Sequence, residues 1–324
     1  MLTRTLGRSD TEVSRLGLGT ATWGLTTDAA DAAAQVKLFA DAGGTLLGTA
    51  DVYGVDGRAE EIIGGILGTT IARSEVVIAT KAGGVGGPRS IGFDASAKHL
   101  LAALDGSLRR LGTDHVDIWQ VHAWDSETAL AETLAALDTA VTSGRVGNIG
   151  VSNYSGWQLG AAAEHQIACG GAPLASVEAE YSLLSRGIER EIIPAAAHFE
   201  IGVLAWAPLG RGVLTGKYRD EPRGTRTSGF FRRYVEPLLL TPNSDAVVDA
   251  VRSTAAALGV PPPAVALAWV RDRPGVASCI VGARTSDQLR QILLADGLSL
   301  PPEAAEQLDL LSVPPIGYPE RSFA

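Results

Sequence analysis

The most constraining feature of the sequence is an alternation of short apolar runs with runs of helical periodicity, which continues from near residue 16 almost to the end. The apolar runs predict strands at 16–18, 45–47, 76–79, 116–121, 148–151, 176–180, 202–206 and 278–281. The helical runs predict helices at 29–41, 59–67, 95–111, 129–142, near 157–165, 189–198, 245–258 and 286–294. Eight strand and helix pairs in this order are what a (β/α)8 barrel, the TIM barrel, requires.

The composition of the strands indicates how they are arranged. They are short, rich in β-branched residues and rarely alternate polar with apolar positions. This is typical of a parallel sheet that is buried on both faces. An open, doubly wound sheet is the alternative α/β arrangement. The predicted fold class is therefore α/β, as a (β/α)8 barrel.

Segments outside the eight pairs add to the predicted barrel. Residues 3–6 and 12–15 flank a turn at 7–10 and predict an N-terminal hairpin, and 263–270 and 303–311 predict extra C-terminal helices. The irregular stretch 211–242 is of a length that usually forms an active-site lid or a mobile binding loop. Because no linker rich in Pro, Ser and Gly divides the chain, we predict a single domain over residues 1–324.

Charge and cysteine content exclude several classes of function. A net charge of −9 without a cluster of Lys and Arg argues against a nucleic-acid partner. Cys169 and Cys279 lie far apart and match no metal spacing, and the His residues have no ligand partners at suitable spacing, so we predict free thiols and no metal. No apolar run approaches the roughly 18 residues of a membrane span, and the amino terminus lacks an apolar signal region. The sequence therefore predicts a cytoplasmic protein, without indicating its oligomeric state.

Polar side chains that follow consecutive predicted strands indicate acid–base chemistry. Asp51 and Tyr53 follow the second strand, Lys81 the third and His122 the fourth. The carboxyl ends of barrel strands meet at one mouth, where the active sites of such barrels lie. A nearby ammonium stabilises a phenolate, so a tyrosine beside a lysine can serve as a general acid. Outside that context each of these residues is more often an ordinary surface or core residue.

The last loops indicate a phosphate-bearing ligand. Gly210 and Gly212 precede Lys217, while Arg284 stands between a strand end and a helix start, where backbone N–H groups favour an anion. Trp206 offers a flat apolar face. The pattern favours an extended nicotinamide dinucleotide, although the sequence contains no G-x-G-x-x-G fingerprint of the usual dinucleotide fold. Trp23 and Trp124 in strand-end loops are candidates for an apolar substrate wall.

Six motifs carry a resemblance to the aldo-keto reductase superfamily along essentially the whole chain, and to its branch that includes the potassium channel β subunits. They are TADVYG at 49–54, VVIATK at 76–81, QVH at 120–122, GVSN at 150–153, APLGRGVLTGKY at 207–218 and VGART at 281–285. The resemblance implies a TIM barrel, NADP(H), and reduction of a small-molecule carbonyl without a metal. It makes Tyr53 the proton donor, Lys81 the cation that tunes it, and His122 the residue that orients the carbonyl.

The same resemblance implies a set of cofactor-binding residues. Thr20 and Ala21 would border the nicotinamide ribose, and Ser152, Asn153 and the residue at 178 would contact the carboxamide. The full implied set is Thr20, Ala21, Ser152, Asn153, Glu178, Trp206, Pro208, Leu209, Gly210, Gly212, Lys217, Arg284, Gln288 and Gln291.

Three positions depart from the family pattern. Gly48 stands where the catalytic aspartate is usual, Glu178 where a glutamine is usual, and Gln291-Ile292 where a Glu-Asn pair is usual. Without the aspartate we expect Lys81 to keep much of its rotamer freedom, so that the chain is a slow reductase which Gly48→Asp accelerates. A nucleotide-binding regulatory subunit and a specialised or redox-neutral enzyme on the same barrel are the alternatives.

Overall fold

A computed structural model describes residues 1–87, 90–219, 231–315 and 317–318. Its centre is a closed barrel of eight parallel strands, each followed by helical structure, which confirms the predicted fold class. The strands of the barrel are β3 (Leu16–Gly19), β4 (Leu46–Gly48), β5 (Val77–Ala82), β8 (Val116–Val121), β9 (Val146–Ser152), β10 (Leu174–Glu180), β11 (Gly202–Trp206) and β12 (Val276–Val281). Numbering follows the chain, and the four remaining strands form two hairpins.

Helices pack around the outside of the barrel. Those described are α1 (Ala29–Asp41), α2 (Arg58–Ile66), α3 (Ala97–Leu111), α4 (Leu130–Thr142), α5 (Gly156–Cys169), α6 (Ile192–His198), α7 (Glu236–Leu239), α8 (Ser244–Leu258), α9 (Pro262–Arg271), α10 (Ser286–Leu293) and α11 (Pro302–Ser312). Local capping explains several of their boundaries. Ser96 accepts a hydrogen bond from the backbone of His99 at the start of α3, and Gly112 ends that helix in the left-handed conformation.

The N-terminal hairpin is confirmed, with β1 (Thr3–Thr5) antiparallel to β2 (Glu12–Ser14). Leu6 and Val13 from this hairpin join buried strand residues such as Leu46, Ile118 and Leu204 in an apolar cluster. The hairpin therefore belongs to the packing that closes one end of the barrel, and the opposite end, at the carboxyl ends of the strands, is left for a site.

The sequence missed a second hairpin. In the structure β6 (Gly84–Gly87) pairs antiparallel with β7 (Ser90–Phe93) between β5 and α3. Four of the five residues from 83 to 87 are glycine, so the β-branched alternation that marks a strand is lacking there. The helix predicted at 189–198 is also shorter, because a 3-10 turn at Gly187–Glu189 precedes α6.

The predicted irregular stretch at 211–242 is only partly irregular where it is described. A 3-10 segment covers Gly210–Thr215, a π-helical segment covers Phe231–Val235, and α7 follows directly. Residues 220–230 lie outside the described part of the chain, and so does that portion of the predicted lid.

No single helix among the described residues is long and apolar enough to cross a membrane. The pair α8 and α9, bent by 104° where they meet, is long and apolar enough only when the two helices are taken together. The same part of the chain contains no group of three or more His, Cys, Asp or Glu side chains that could hold a metal ion.

Candidate active site

A cavity of about 710 Å³ opens at the carboxyl ends of the barrel strands. This size is ordinary for a small-molecule or cofactor site. Its wall includes the proposed acid–base residues Tyr53, Lys81 and His122 together with Gly48. From the implied cofactor set it includes Thr20, Ala21, Ser152, Asn153, Glu178, Trp206, Pro208, Leu209, Gly212, Lys217, Arg284, Gln288 and Gln291. Gly210 lies in the same segment but is buried beside Leu184 and Leu214 instead of lining the cavity.

Tyr53 is placed by a tight turn between β4 and α2. Gly54 takes a φ of +74°, and a Cβ there would meet the carbonyl oxygen of Trp23 at 2.3 Å, so only glycine suits this turn. The Tyr53 ring then meets the His122 ring edge-on, with centroids 5.8 Å apart. The ammonium nitrogen of Lys81 lies 5.4 Å from the centroid of the same phenol ring. The structure thus brings together the three residues that the sequence singled out.

Lys81 is bound by a buried carboxylate, so the expectation of a lysine without a partner is wrong. Its Nζ donates to both carboxylate oxygens of Glu178, at 3.0 and 3.1 Å. The exposed fractions of the two side chains are 2% and 4%, so the ion pair is almost completely withdrawn from water. Lys81 is on β5 and Glu178 on β10, two strands that are not neighbours in the barrel, so the pair spans its mouth. Because the two residues are 97 positions apart in the sequence, no local pattern indicated this contact.

The space beside Gly48 is occupied by an isoleucine. A Cβ at Gly48 would lie 3.3 Å from Cγ2 of Ile280, which is closer than ordinary van der Waals contact. A Cβ at Gly17 or Gly19 would lie even closer to the same side chain, at 2.7 and 3.0 Å. Ile280 therefore packs against three glycines and forms part of the cavity floor, a role that its sequence context did not reveal.

Burial sets the protonation of the acid–base residues. Burial raises the pKa of Tyr53, and the nearby Lys81 ammonium only partly offsets this effect. Burial acts to lower the pKa of Lys81, but the Glu178 carboxylate and the Tyr53 phenol raise it above its ordinary value. Burial and then the Lys81 charge lower the pKa of His122 to about 3. At neutral pH the site therefore holds a neutral phenol, a charged lysine and a neutral imidazole.

A flat wall stands next to these groups. The indole nitrogen of Trp206 donates to Oδ1 of Asn153 at 3.0 Å, and Nδ2 of Asn153 donates to the backbone oxygen of His122 at 3.0 Å. Asn153 takes a φ of +57°, a conformation that asparagine tolerates better than most residues. This network fixes the ring of Trp206 beside the buried Ser152. The arrangement suits the stacking of a planar ring, with polar groups at its edge.

The far end of the cavity is exposed and positively charged. Arg284 stands directly before α10, where Thr285 caps the helix by accepting from the backbone of Gln288, and the Gln288 side chain accepts from the backbone of Arg284. A cation at a helix N-terminus favours a phosphate. The wall at this end continues through Gln291, Ile292, Pro262 and Pro263, of which both prolines were missed in the sequence. The residues present therefore fit a nicotinamide dinucleotide with its ring at Trp206 and a phosphate at Arg284.

Of the two tryptophans predicted to line the substrate wall, neither is among the residues that line the cavity. Trp23 is completely buried in the core, so its side chain cannot contact a substrate in this structure, and that assignment is corrected. Trp124 is partly buried and packs edge-on against Tyr154 and Trp157. Phe93, which the sequence did not single out, is 40% exposed and lies 6.4 Å from the His122 ring. The position of Phe93 could not be predicted, because the sequence did not indicate the hairpin of β6 and β7 to which it belongs.

The barrel has one cavity that joins an acid–base cluster to a cationic end, and comparison with known proteins gives its family. The model of the aldo/keto reductase family matches residues 15–312. The uncharacterized oxidoreductase YrpG of Bacillus subtilis is 34% identical over 335 residues, covering 98% of both chains. The chain belongs to the aldo/keto reductase family. The oxidoreductases among its relatives support the interpretation that this protein is an oxidoreductase as well.

Other relatives have different descriptions. A probable voltage-gated potassium channel subunit beta of Oryza sativa subsp. japonica is 33% identical, covering 94% of this chain and 95% of that protein. The L-glyceraldehyde 3-phosphate reductase of Escherichia coli O157:H7 is also 33% identical, covering 83% and 80%. The family therefore includes relatives named for reduction and relatives named for channel association.

Proposed function

We propose that this protein is an NADPH-dependent reductase that converts an aldehyde or ketone to an alcohol, with Tyr53 as the proton donor. The observation that carries the proposal is the placement of Tyr53, Lys81 and His122 on the wall of one cavity that also reaches Arg284. The two free cysteines fit a reducing compartment, so the proposal includes a cytoplasmic location. The substrate is a small molecule.

The side chains have separate tasks in this reaction. The carbonyl oxygen lies between the Tyr53 hydroxyl and the neutral His122 ring, which orients it by a hydrogen bond. Trp206, with Ser152 and Asn153 at its edge, would hold a reduced nicotinamide, whose chemistry would be to supply a hydride to the carbonyl carbon. Tyr53 gives its proton to the oxygen, and the Lys81 ammonium stabilises the phenolate that is left behind.

NADPH is favoured over NADH by the charges at the exposed end. Arg284 and Lys217 both line the cavity, and either cation attracts the additional 2′-phosphate of NADPH. The guanidinium of Arg284 can bind a phosphate through two parallel hydrogen bonds, so it is the better candidate for the specific contact. Lys217 stacks over the ring of Tyr218, with its nitrogen 4.9 Å from the centroid.

A binding titration followed by a turnover assay tests the proposal. NADPH is added while intrinsic tryptophan fluorescence is recorded, because Trp206 lines the cavity. The bound protein is then assayed for NADPH consumption with a panel of aliphatic, aromatic and phosphorylated aldehydes and ketones. Binding tighter for NADPH than for NADH, with turnover of at least one carbonyl, is expected. Binding without any turnover would favour a nucleotide-binding regulatory subunit; the Oryza sativa relative is named a probable voltage-gated potassium channel subunit beta.

A further inference from the structure

The lysine beside the proposed proton donor donates two hydrogen bonds to a carboxylate on the opposite side of the barrel mouth. The structure, over its described residues, gives Lys81 Nζ the two oxygens of Glu178 as hydrogen-bond acceptors, and both side chains are almost fully buried. A buried ammonium without a counter-ion is unstable and tends to lose its proton. The protonation and the position of Lys81 therefore depend on Glu178.

On the near side of the same lysine, the neighbouring strand ends in a residue without a side chain. β4 runs next to β5, and its last residue is Gly48, paired in register with Ala79. The volume that a side chain at Gly48 would fill is bordered by Ile280, whose Cγ2 and Cδ1 lie 3.3 and 3.8 Å from the position of a Cβ. A glycine at the end of β4 and the branched apolar side chain of Ile280 therefore leave no carboxylate at this position of the strand.

We propose that Glu178 is the positioning residue of the catalytic apparatus, fixing the Lys81 ammonium against Tyr53 from across the barrel, while Gly48 and Ile280 leave no carboxylate at the end of β4. This inference rests on the proposed function for its effect on turnover, but the ion pair can be tested without turnover. It also assigns both carboxylate oxygens of Glu178 to the lysine, and an ionised carboxylate has no hydrogen to donate to a carboxamide. Because Nδ2 of Asn153 already donates to the backbone oxygen of His122 and to Oγ of Ser152, the Ser152 hydroxyl is a donor that remains for a ligand at Trp206.

Lys81 and the other titratable groups near it also shift one another's pKa values. Tyr53 stabilises the charged lysine, and the Lys81 charge contributes to the lowered pKa of His122. Lys81 in turn acts to lower the pKa of Asp51 and of Tyr53. Of these groups Glu178 is the one with two direct hydrogen bonds to Nζ, and it exerts the largest charge effect on Lys81. Its removal should therefore dominate any change in the protonation of Lys81.

The test begins with Glu178→Gln, a nearly isosteric change that removes the negative charge. Burial lowers the pKa of Lys81, and in this variant no Glu178 charge offsets that effect. The lysine should therefore titrate at least about one pH unit lower, and kcat at neutral pH should fall about tenfold or more. The alkaline limb of the kcat profile, measured between about pH 6 and about pH 10, should move to lower pH with Lys81. The matched control is Asp117→Asn, which breaks the Arg73 ion pair near the start of β8, away from the cavity-lining residues, and should leave the profile in place.

A rescue variant separates positioning from general destabilisation. Gly48→Asp with Ile280→Ala and Glu178→Gln places a carboxylate on the near side of Lys81 and makes room for it. Relative to Ile280→Ala with Glu178→Gln, it should regain several-fold in kcat and return the alkaline limb toward higher pH. The proposal is overturned if the alkaline limb of the triple variant stays where it is in Ile280→Ala with Glu178→Gln. It is also overturned if Glu178→Gln alone leaves the pH profile of kcat unchanged.

A measurement on the lysine itself separates this proposal from the proposed function. The ¹⁵N chemical shift of Lys81 Nζ, assigned with Lys81→Met, reports its protonation whether or not a carbonyl is reduced. In the unmodified protein the lysine should stay charged to well above neutral pH, and in Glu178→Gln it should titrate lower. If no carbonyl is turned over but this difference is present, the reductase assignment fails and the ion-pair assignment stands. Equal titration in both proteins overturns the ion-pair assignment alone.

Discussion

The two ends of the cavity handle charge in opposite ways. At the inner end the Lys81 ammonium and the Glu178 carboxylate are withdrawn from water and bound to each other. At the outer end Arg284 is exposed and stands at the start of α10. Buried charges interact strongly and depend on their partners, while exposed charges are screened by water and salt. The inner end is therefore built for chemistry with fixed protonation states, and the outer end for attracting an anionic ligand that brings its own charge.

The largest effect should come from removing the proton donor at the inner end. Tyr53→Phe keeps the ring that contacts His122 but loses the hydroxyl. We expect kcat to fall by about 10² to 10⁴, the usual contribution of a positioned acid, with the affinity for NADPH nearly unchanged. Steady-state turnover and a fluorescence titration measure the two quantities. Tyr318→Phe, at an exposed tyrosine, is the control. Native turnover in Tyr53→Phe under conditions where chemistry limits the rate would contradict the mechanism.

A smaller and more selective effect is expected at the outer end. Arg284→Ala should weaken NADPH binding by about one to two decades and NADH binding hardly at all, because a charge-assisted hydrogen bond is worth roughly 1.5 to 3 kcal/mol. The loss should shrink as salt is added, since the site is exposed. Arg290→Ala, in the α10 helix that follows Arg284, is the matched control, because Arg290 pairs with Asp287 and does not line the cavity. Equal losses for both cofactors would show that Arg284 does not meet the 2′-phosphate.

The same contrast explains what could be predicted from the sequence. The barrel follows from local patterns, since each strand and helix has its own periodicity, and the residues at strand ends must meet at one mouth. Tyr53, Lys81, His122 and Arg284 were therefore placed on one cavity from their positions alone. The prediction of a single domain over 1–324 rests on the same reasoning and stays a prediction.

What could not be predicted depends on contacts across the barrel. Glu178 looked like a weakened carboxamide contact and Gly48 like a missing charge, and each was interpreted alone. Their joint meaning needs the distance from Lys81 to Glu178 and the contact of Ile280 with the space beside Gly48, both set by strand register and packing. Trp23 was misplaced for a related reason, because a residue near a strand end can turn into the core as easily as into the cavity.

Asp51 provides a test of how dry the inner end is. Burial, followed by the charge of Glu60, raises the pKa of Asp51 to about 7 from the ordinary value of 3.8. A carboxyl whose pKa is higher in the folded state binds more protons there than in the unfolded state. The free energy of unfolding therefore falls as pH rises from about 4 to about 7, and it stays lower at pH values above 7. Asp51→Asn removes this loss of stability, because it removes the ionisable group.

We therefore expect Asp51→Asn to be more stable than the unmodified protein by about 1 to 2 kcal/mol at pH 8, with little difference at pH 4. Urea unfolding at the two pH values measures this difference. Asp10→Asn, at an exposed residue of the N-terminal hairpin, is the control. A stability difference that is the same at both pH values would mean that Asp51 is well solvated, and the contrast between the two ends would be weaker.

The smallest effect is expected from restoring a carboxylate to the near side of the lysine without other changes. Gly48→Asp places a Cβ 3.3 Å from Ile280 Cγ2, so the isoleucine must shift. The new carboxylate also approaches a lysine that already has a partner, and a second buried negative charge is either repelled or protonated. A lysine without a counter-ion would be positioned by such a carboxylate, but Lys81 is already positioned by Glu178. We expect kcat of Gly48→Asp to be unchanged or to fall by no more than about tenfold, and not to rise. Gly48→Ala makes the same Cβ contact without the charge, so the difference in kcat between the two variants isolates the electrostatic part. A rise in kcat of Gly48→Asp over both Gly48→Ala and the unmodified protein would mean that Glu178 holds Lys81 poorly for catalysis, and that the lysine prefers a partner on β4.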